Sequence, residues 1–237
     1  VLAGLTARHL AATGRAGRLL LTSRRGPAAP GAARLAAGLA ALGTEVDVAV
    51  CDAADRVAVA RLLGQLPASP TLSGVFHTAG ALDDGVVSAL TPDRLDRVLA
   101  PKADAALVLD ELTAGLELSA FVLFSSASAT FGAPGQGNYA AANAVLDAVA
   151  QDRRARGLPA VSIAWGMWEQ ATGLTAHLGE AGRGRSRGGV LPLTTPQGLD
   201  LLDVALAGPP TAVAVNLDLA ALRAQAGMLP PLWHGLV

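Results

Sequence analysis

What most constrains the fold is a regular alternation of helix-like and strand-like patterns along the 237 residues. Residues 2–12 carry Leu2, Leu5 and Leu10 at helical spacing. Residues 18–22 (RLLLT) form a short apolar run, and 26–31 a Gly/Pro loop. A helix is expected at 33–42, closed by Gly43, and a strand at 45–51 (EVDVAVC). Residues 52–55 cap a helix that ends at Gly64. The series continues with a strand at 72–77 and a long helix from Thr91-Pro92 to about 112. A strand at 119–124, a helix at 138–156, a strand at 160–165, a helix at 196–207 and a strand at 212–215 complete it. Such alternation implies right-handed crossovers and an α/β, doubly wound parallel sheet with helices on both faces. The first helix lacks the strand and Gly-rich turn that should feed it.

Several function classes are excluded. Cys51 is the only cysteine, so neither a disulfide nor a Cys-based zinc site can form; in its apolar run it reads as a buried, inert thiol. No metal is expected. With 18 Lys+Arg against 19 Asp+Glu, nothing in the charge balance favours nucleic acid or an anionic membrane. The longest uncharged stretch, 118–146, holds serines, glycines and Pro134, so it is no membrane span, and no signal peptide is visible. The Gly/Arg-rich run at 182–189 lies in an irregular segment, 168–191, expected to be a lid near a site rather than a nucleic-acid tract.

In doubly wound sheets ligands bind beyond the carboxyl ends of the strands, so those ends hold the candidates. Ser23-Arg24-Arg25 follows the first strand; the two guanidinium groups suit a phosphate, and a solvated basic turn is the competing reading. Asp52 either caps a helix or accepts from an adenine amine. Thr78-Ala79-Gly80 is small enough for a ligand to approach the backbone. The fourth strand ends in Ser125-Ser126; Tyr139 comes thirteen residues after Ser126, and Asn143 lies one turn further on the same helix face. Lys102 is the only lysine and Tyr139 the only tyrosine, in a chain that otherwise uses Arg. Ser, Tyr and Lys together suit proton donation to a carbonyl oxygen, with the ammonium lowering the phenol's pKa. A buried structural phenol beside a surface cation is the alternative.

On the stretches 19–27 (LLLTSRRGP), 75–85 (VFHTAGALDDG), 101–113, 121–150 (FVLFSSASATFGAPGQGNYAAANAVLDAVA) and 162–175, the chain resembles ketoreductase catalytic subdomains of modular type I polyketide synthases. These belong to the Rossmann-like short-chain dehydrogenase/reductase superfamily. Ordinary members place Lys four residues after the catalytic Tyr; here Asn143 stands there and the lysine is Lys102, the exchange known from polyketide and animal fatty acid synthase ketoreductases. The resemblance implies that Tyr139 donates the proton and Ser126 hydrogen-bonds the same oxygen. Lys102 would tune the phenol and bind the nicotinamide ribose, with Asn143 supporting the relay or the lysine's position. NADPH would supply hydride, bound along Ser23, Arg24, Arg25, Asp52, Thr78, Ala79, Gly80, Lys102, Tyr139 and Gly166.

The implied substrate is a β-ketoacyl thioester on the phosphopantetheine arm of an acyl carrier protein, in the cytoplasm. Leu82-Asp83-Asp84 resembles the signature of B-type enzymes, which make the D-hydroxyl; Phe131 replaces the Trp of A-type enzymes, and Ala142 argues for the B1 subtype. Gln136, Met167 and Trp168 are further expected substrate-side residues. The whole chain, 1–237, is expected to be one catalytic subdomain beginning after the family's Gly-rich turn, with a structural subdomain and other synthase domains as partners. A stand-alone reductase of a free ketone or alcohol, and a non-reducing structural or epimerising module, are the competing readings.

Overall fold

The computed structural model describes residues 1–67, 69, 71–170, 189–224, 227, 229 and 231–235. The chain runs through α1 (Leu2–Ala12), β1 (Arg18–Ser23), α2 (Ala32–Ala40), β2 (Glu45–Val50), α3 (Arg56–Gly64) and β3 (Gly74–His77). It continues with α4 (Pro92–Leu99), α5 (Ala105–Thr113), β4 (Ala120–Ser126), α6 (Ala127–Phe131), α7 (Gly137–Ala155) and β5 (Val161–Trp165). Last come β6 (Val190–Leu191), α8 (Thr195–Leu206), β7 (Thr211–Ala214), β8 (Asn216–Leu217) and α9 (Leu219–Ala224). The caps follow local chemistry. The Asp55 carboxylate accepts from the amides of Val57 and Ala58 at the start of α3, and Thr194 forms a reciprocal capping box with Gln197 at the start of α8.

The strands β3, β4, β5 and β7 form one parallel sheet in the order β3-β4-β5-β7, and β1 pairs with β2 in parallel. Among the described residues no strand joins β1 to β3. A cleft of about 2090 Å³ opens there, lined by Leu19 and Leu21 on one side and Gly74 and Phe76 on the other. The interruption falls where the sequence pattern lacks a strand before α1. A short pair of strands that the sequence pattern did not mark, β6 and β8, runs antiparallel outside the parallel sheets.

β4 is buried on both faces, as a central parallel strand must be. Val122 and Phe124 face a cluster with Ile163, Trp165, Leu193 and Leu202. Phe121 and Leu123 face the opposite cluster, with Leu146, Val149 and Ala106. This period of two lets one strand hold both helix layers together, each large apolar side chain contributing about 1.5–3 kcal/mol. Arg153 is fully buried beneath the second layer. Its guanidinium donates to the Asp110 carboxylate at 2.6 Å and to the carbonyls of Asp110, Thr113 and Pro159, and lies 4.2 Å from the centroid of the Phe121 ring.

The single long helix expected from Thr91 is two helices joined by a π-helical turn at Ala100–Asp104. Pro101 has no amide hydrogen to give to the preceding turn, and the wider turn accommodates it. Lys102, on this turn, is 2% exposed and therefore points inward. Most of the expected lid, residues 171–188, lies outside the described residues.

Candidate active site

β4 delivers Ser126 at its carboxyl end. The hydroxyl oxygen accepts from the amide of Ser128 at 3.2 Å, so Ser126 is also the cap of α6. The Ser128 hydroxyl lies 3.0 Å from the same oxygen. After the α6 turn, α7 begins at Gly137 and presents Tyr139 in its first turn, 8% exposed. Asn138 pins that turn: its Oδ1 accepts from the Tyr139 amide at 2.8 Å, and its Nδ2 donates to the Asp83 carbonyl at 2.8 Å.

The ammonium of Lys102 donates to the Phe124 carbonyl and to Asn143 Oδ1, both at 2.8 Å. Asn143 Nδ2 in turn donates to the Tyr139 carbonyl at 2.7 Å. The π turn, the end of β4 and one face of α7 thus meet at four side chains far apart in sequence: Lys102, Ser126, Tyr139 and Asn143. Asn143 Oδ1 occupies one of the lysine's three donors, which fixes the amide's orientation.

Burial sets the electrostatics. It drives the Lys102 ammonium down from 10.5 to about 7, against the opposing pull of the Asp147 carboxylate. It pushes the Tyr139 phenol above its ordinary value near 10, against hydrogen bonding toward Asn143 and Ser126. Burial outweighs any pull from Lys102, whose donors go to Phe124 and Asn143 and whose nitrogen stands 5.3 Å from the Tyr139 ring centroid. The phenol stays protonated at neutral pH, which suits a proton donor. His77, also buried, is driven down to about 4 by burial and by the nearby Lys102 charge, so it is neutral. Its Nε2 has no hydrogen-bond partner among the described residues. Sequence had marked His77 only as a strand end.

The expected cofactor residues Ser23, Arg24, Arg25, Asp52, Thr78, Ala79 and Gly80 all line the cleft between β1 and β3. Arg24 and Arg25 are exposed, and neither forms an ion pair among the described residues. Asp52 accepts from the Ala54 amide at 3.1 Å, so its turn-capping role is real. A side chain at Gly80 would bring its first carbon to 2.8 Å from Lys102 Cε, so that position must stay bare for the lysine to reach the site. Gly166 is held at 2.8 Å to the Ala214 carbonyl, with Val215 packed where a side chain would begin. Free guanidinium groups, small strand ends and an orphaned imidazole nitrogen fit a phosphorylated dinucleotide.

The substrate-side residues divide. Leu82 packs beside Val98 and Tyr139. Asp83 pairs with Arg94 and Arg97, and the Asp84 carboxylate accepts from Gln136 Nε2 at 2.9 Å. Phe131 stacks on Trp233 with ring centroids 4.3 Å apart, a partner 102 positions away that periodicity could not reveal. Met167 is half-buried, its carbonyl accepting from Leu193. Trp168 is a correction: it sits in the core at 5% exposure, 5.1 Å from the Trp165 ring, instead of lining a substrate cleft. Its bulk is received by the bare backbone of Gly198.

The sheet order and the Ser-Tyr-Lys-Asn cluster beyond β4 define an α/β oxidoreductase of the short-chain dehydrogenase/reductase fold. A family model described as KR domain matches residues 1–170, and the chain belongs to that ketoreductase family. It is 58% identical over its whole length to polyketide synthase GfsB of Streptomyces halstedii, spanning 4% of that protein. It is 46% identical to an A-type ketoreductase from a modular polyketide synthase, over 95% of this chain and 46% of that one, with a TM-score of 0.84. A short-chain dehydrogenase from Burkholderia cenocepacia, 22% identical with a TM-score of 0.71, shares the fold over 88% of this chain and 89% of its own. The chain therefore spans a small part of its curated relatives. No helix among the described residues is long and apolar enough to cross a membrane.

Proposed function

We propose that the chain reduces the ketone of a β-ketoacyl thioester, carried on the phosphopantetheine arm of an acyl carrier protein, to the D-configured β-hydroxyacyl thioester. The reading rests above all on the convergence of Ser126, Tyr139, Asn143 and Lys102 beyond β4. NADPH, when bound, supplies the hydride. The residues of the chain do the rest. Ser126 donates its hydroxyl hydrogen to the ketone oxygen and orients it. Tyr139, protonated because it is buried, gives its phenolic proton to that oxygen as charge develops there. Lys102, with a value near the working pH, holds the positive charge that favours the resulting phenolate. Asn143 keeps the ammonium aimed by accepting one of its hydrogens. Arg24 and Arg25 bind the 2′-phosphate and so select NADPH over NADH. The work takes place in the cytoplasm, within a larger synthase.

The stereochemical reading rests on Leu82, Asp83 and Asp84 with Phe131 in place of Trp, and it names the B1 subtype. The similarity to an A-type enzyme covers the whole fold, whereas the subtype turns on these few positions. Tyr139→Phe tests the chemistry. Reduction should fall at least about 1,000-fold while NADPH affinity, read by fluorescence, stays within about twofold. Near wild-type turnover in that variant would remove the proton-donor role. Chiral chromatography of the product decides the configuration, and an L-hydroxyl would overturn the B-type assignment.

A further inference from the structure

Residues 82–85 lie within the connection between β3 and α4, residues 78–91, and are held from both sides. On one side Arg94 Nε donates to Asp83 Oδ1 at 2.8 Å. Its Nη2 donates to the carbonyls of Asp84 at 2.6 Å and Asp83 at 3.4 Å, and its Nη1 to the Ala89 carbonyl at 2.9 Å. Arg97 makes a second ion pair with Asp83. On the other side the start of α7 grips the same residues. Asn138 Nδ2 donates to the Asp83 carbonyl at 2.8 Å, Gln136 Nε2 to the Asp84 carboxylate at 2.9 Å, and the Gly85 amide to the Gly135 carbonyl at 2.7 Å. Gly85 is bare because its first side-chain carbon would lie 2.8 Å from Arg94 Nη1.

A continuous polar line therefore runs from Arg94 through the Asp83 carbonyl to Asn138, whose Oδ1 holds the Tyr139 amide. The geometry points to Arg94 as a positioning residue: it fixes residues 82–85 against the start of α7, and so sets the face on which a β-ketoacyl thioester meets Tyr139. This rests on the reduction proposed above and goes beyond it, since Arg94 touches neither Tyr139 nor Ser126. Only a planar guanidinium can serve a carboxylate and three carbonyls from one fork; a lysine ammonium is a single point donor. The paired arginines also hold the Asp83 carboxyl below the usual range, keeping it an acceptor throughout the neutral region.

The test uses the intact synthase protein with Arg94→Gln, Arg94→Lys and Gly85→Ala, the last pushing on the guanidinium from the opposite side. Product diastereomer ratio, kcat and KM for the thioester, NADPH affinity and amide hydrogen exchange at Gly85 and Tyr139 are measured. Arg94→Gln and Arg94→Lys should each lower the diastereomer ratio at least tenfold and raise KM more than they lower kcat. Exchange at Gly85 and Tyr139 should quicken at least tenfold, with NADPH affinity within about twofold. If Arg94→Gln fails to fold, Gly85→Ala, which retains the arginine, must show the same loss of ratio. An unchanged ratio in folded variants overturns the inference, as does unchanged exchange. Wild-type protein that reduces no thioester refutes the proposed function, and exchange then still judges the role of Arg94. A wild-type L-product refutes only the D assignment.

Discussion

Replacing Lys102 by methionine removes a buried charge while keeping an unbranched stem of similar length. In the folded chain the ammonium has a value of about 7, against 10.5 when free. At ~1.36 kcal/mol per pH unit, holding it charged costs the fold about 5 kcal/mol below pH ~7, and nothing above pH ~10.5. Between these limits the unfolded chain binds the extra proton, so stability rises with pH. Wild type should therefore gain about 2–3 kcal/mol on Lys102→Met between pH ~6 and pH ~9. The variant also leaves Phe124 O and Asn143 Oδ1 without this donor, a cost of about 1–3 kcal/mol each that does not change with pH. The slope of the difference thus isolates the charge. In wild type the neighbours titrate outside this range: His77 at about 4, and the Tyr139 phenol above its usual value. Urea denaturation of both proteins across this range, without cofactor, measures the difference. A difference flat to within about 0.5 kcal/mol, or one of opposite sign, would refute the reasoning. Turnover of the variant should be lost at every pH, so that a group costly to the fold is retained for chemistry.

Other outcomes are expected. Arg24→Ala with Arg25→Ala should weaken NADPH about 100-fold, the worth of losing one or two charge-assisted bonds at about 1.5–3 kcal/mol each. NADH affinity should change less than about threefold, and equal losses in titrations of both would remove the 2′-phosphate reading. Asp110→Ala should cost about 3–5 kcal/mol, because it strips the carboxylate from the fully buried Arg153. A shift below about 1 kcal/mol in denaturant midpoints would show that the three carbonyl partners suffice.

Much of this fold was legible in the chain. The order of elements followed from period and punctuation: Asp55 and Pro92 sit where capping chemistry and fixed φ place them. The proposed proton-donating set could be picked out for a different reason. With Lys102 and Tyr139 each unique, and Ser126 and Tyr139 both falling where a strand hands over to a helix, sequence offered few other ways to assemble such chemistry. The burial of Arg153 was not legible, because its place near a helix end says nothing of the groups that enclose it. Its partners come from α5 and from the loop before β5. Trp168 was misread because adjacency to Gly166 says nothing about which way an aromatic ring turns.

By itself, then, the sequence determined what is local or additive: where helices begin, which strands are buried on both faces, and which residue types are at hand. Tertiary structure alone decided the electrostatics and the partners. Lys102 is buried because a proline-containing π turn rotates it inward, and its value of about 7 follows from lost solvation that no spacing encodes. The same burial pushes the Tyr139 phenol above its ordinary value, an effect that the spacing of Ser126, Tyr139 and Lys102 does not encode. Solvation depends on what surrounds a group in all directions, and only the folded chain supplies that.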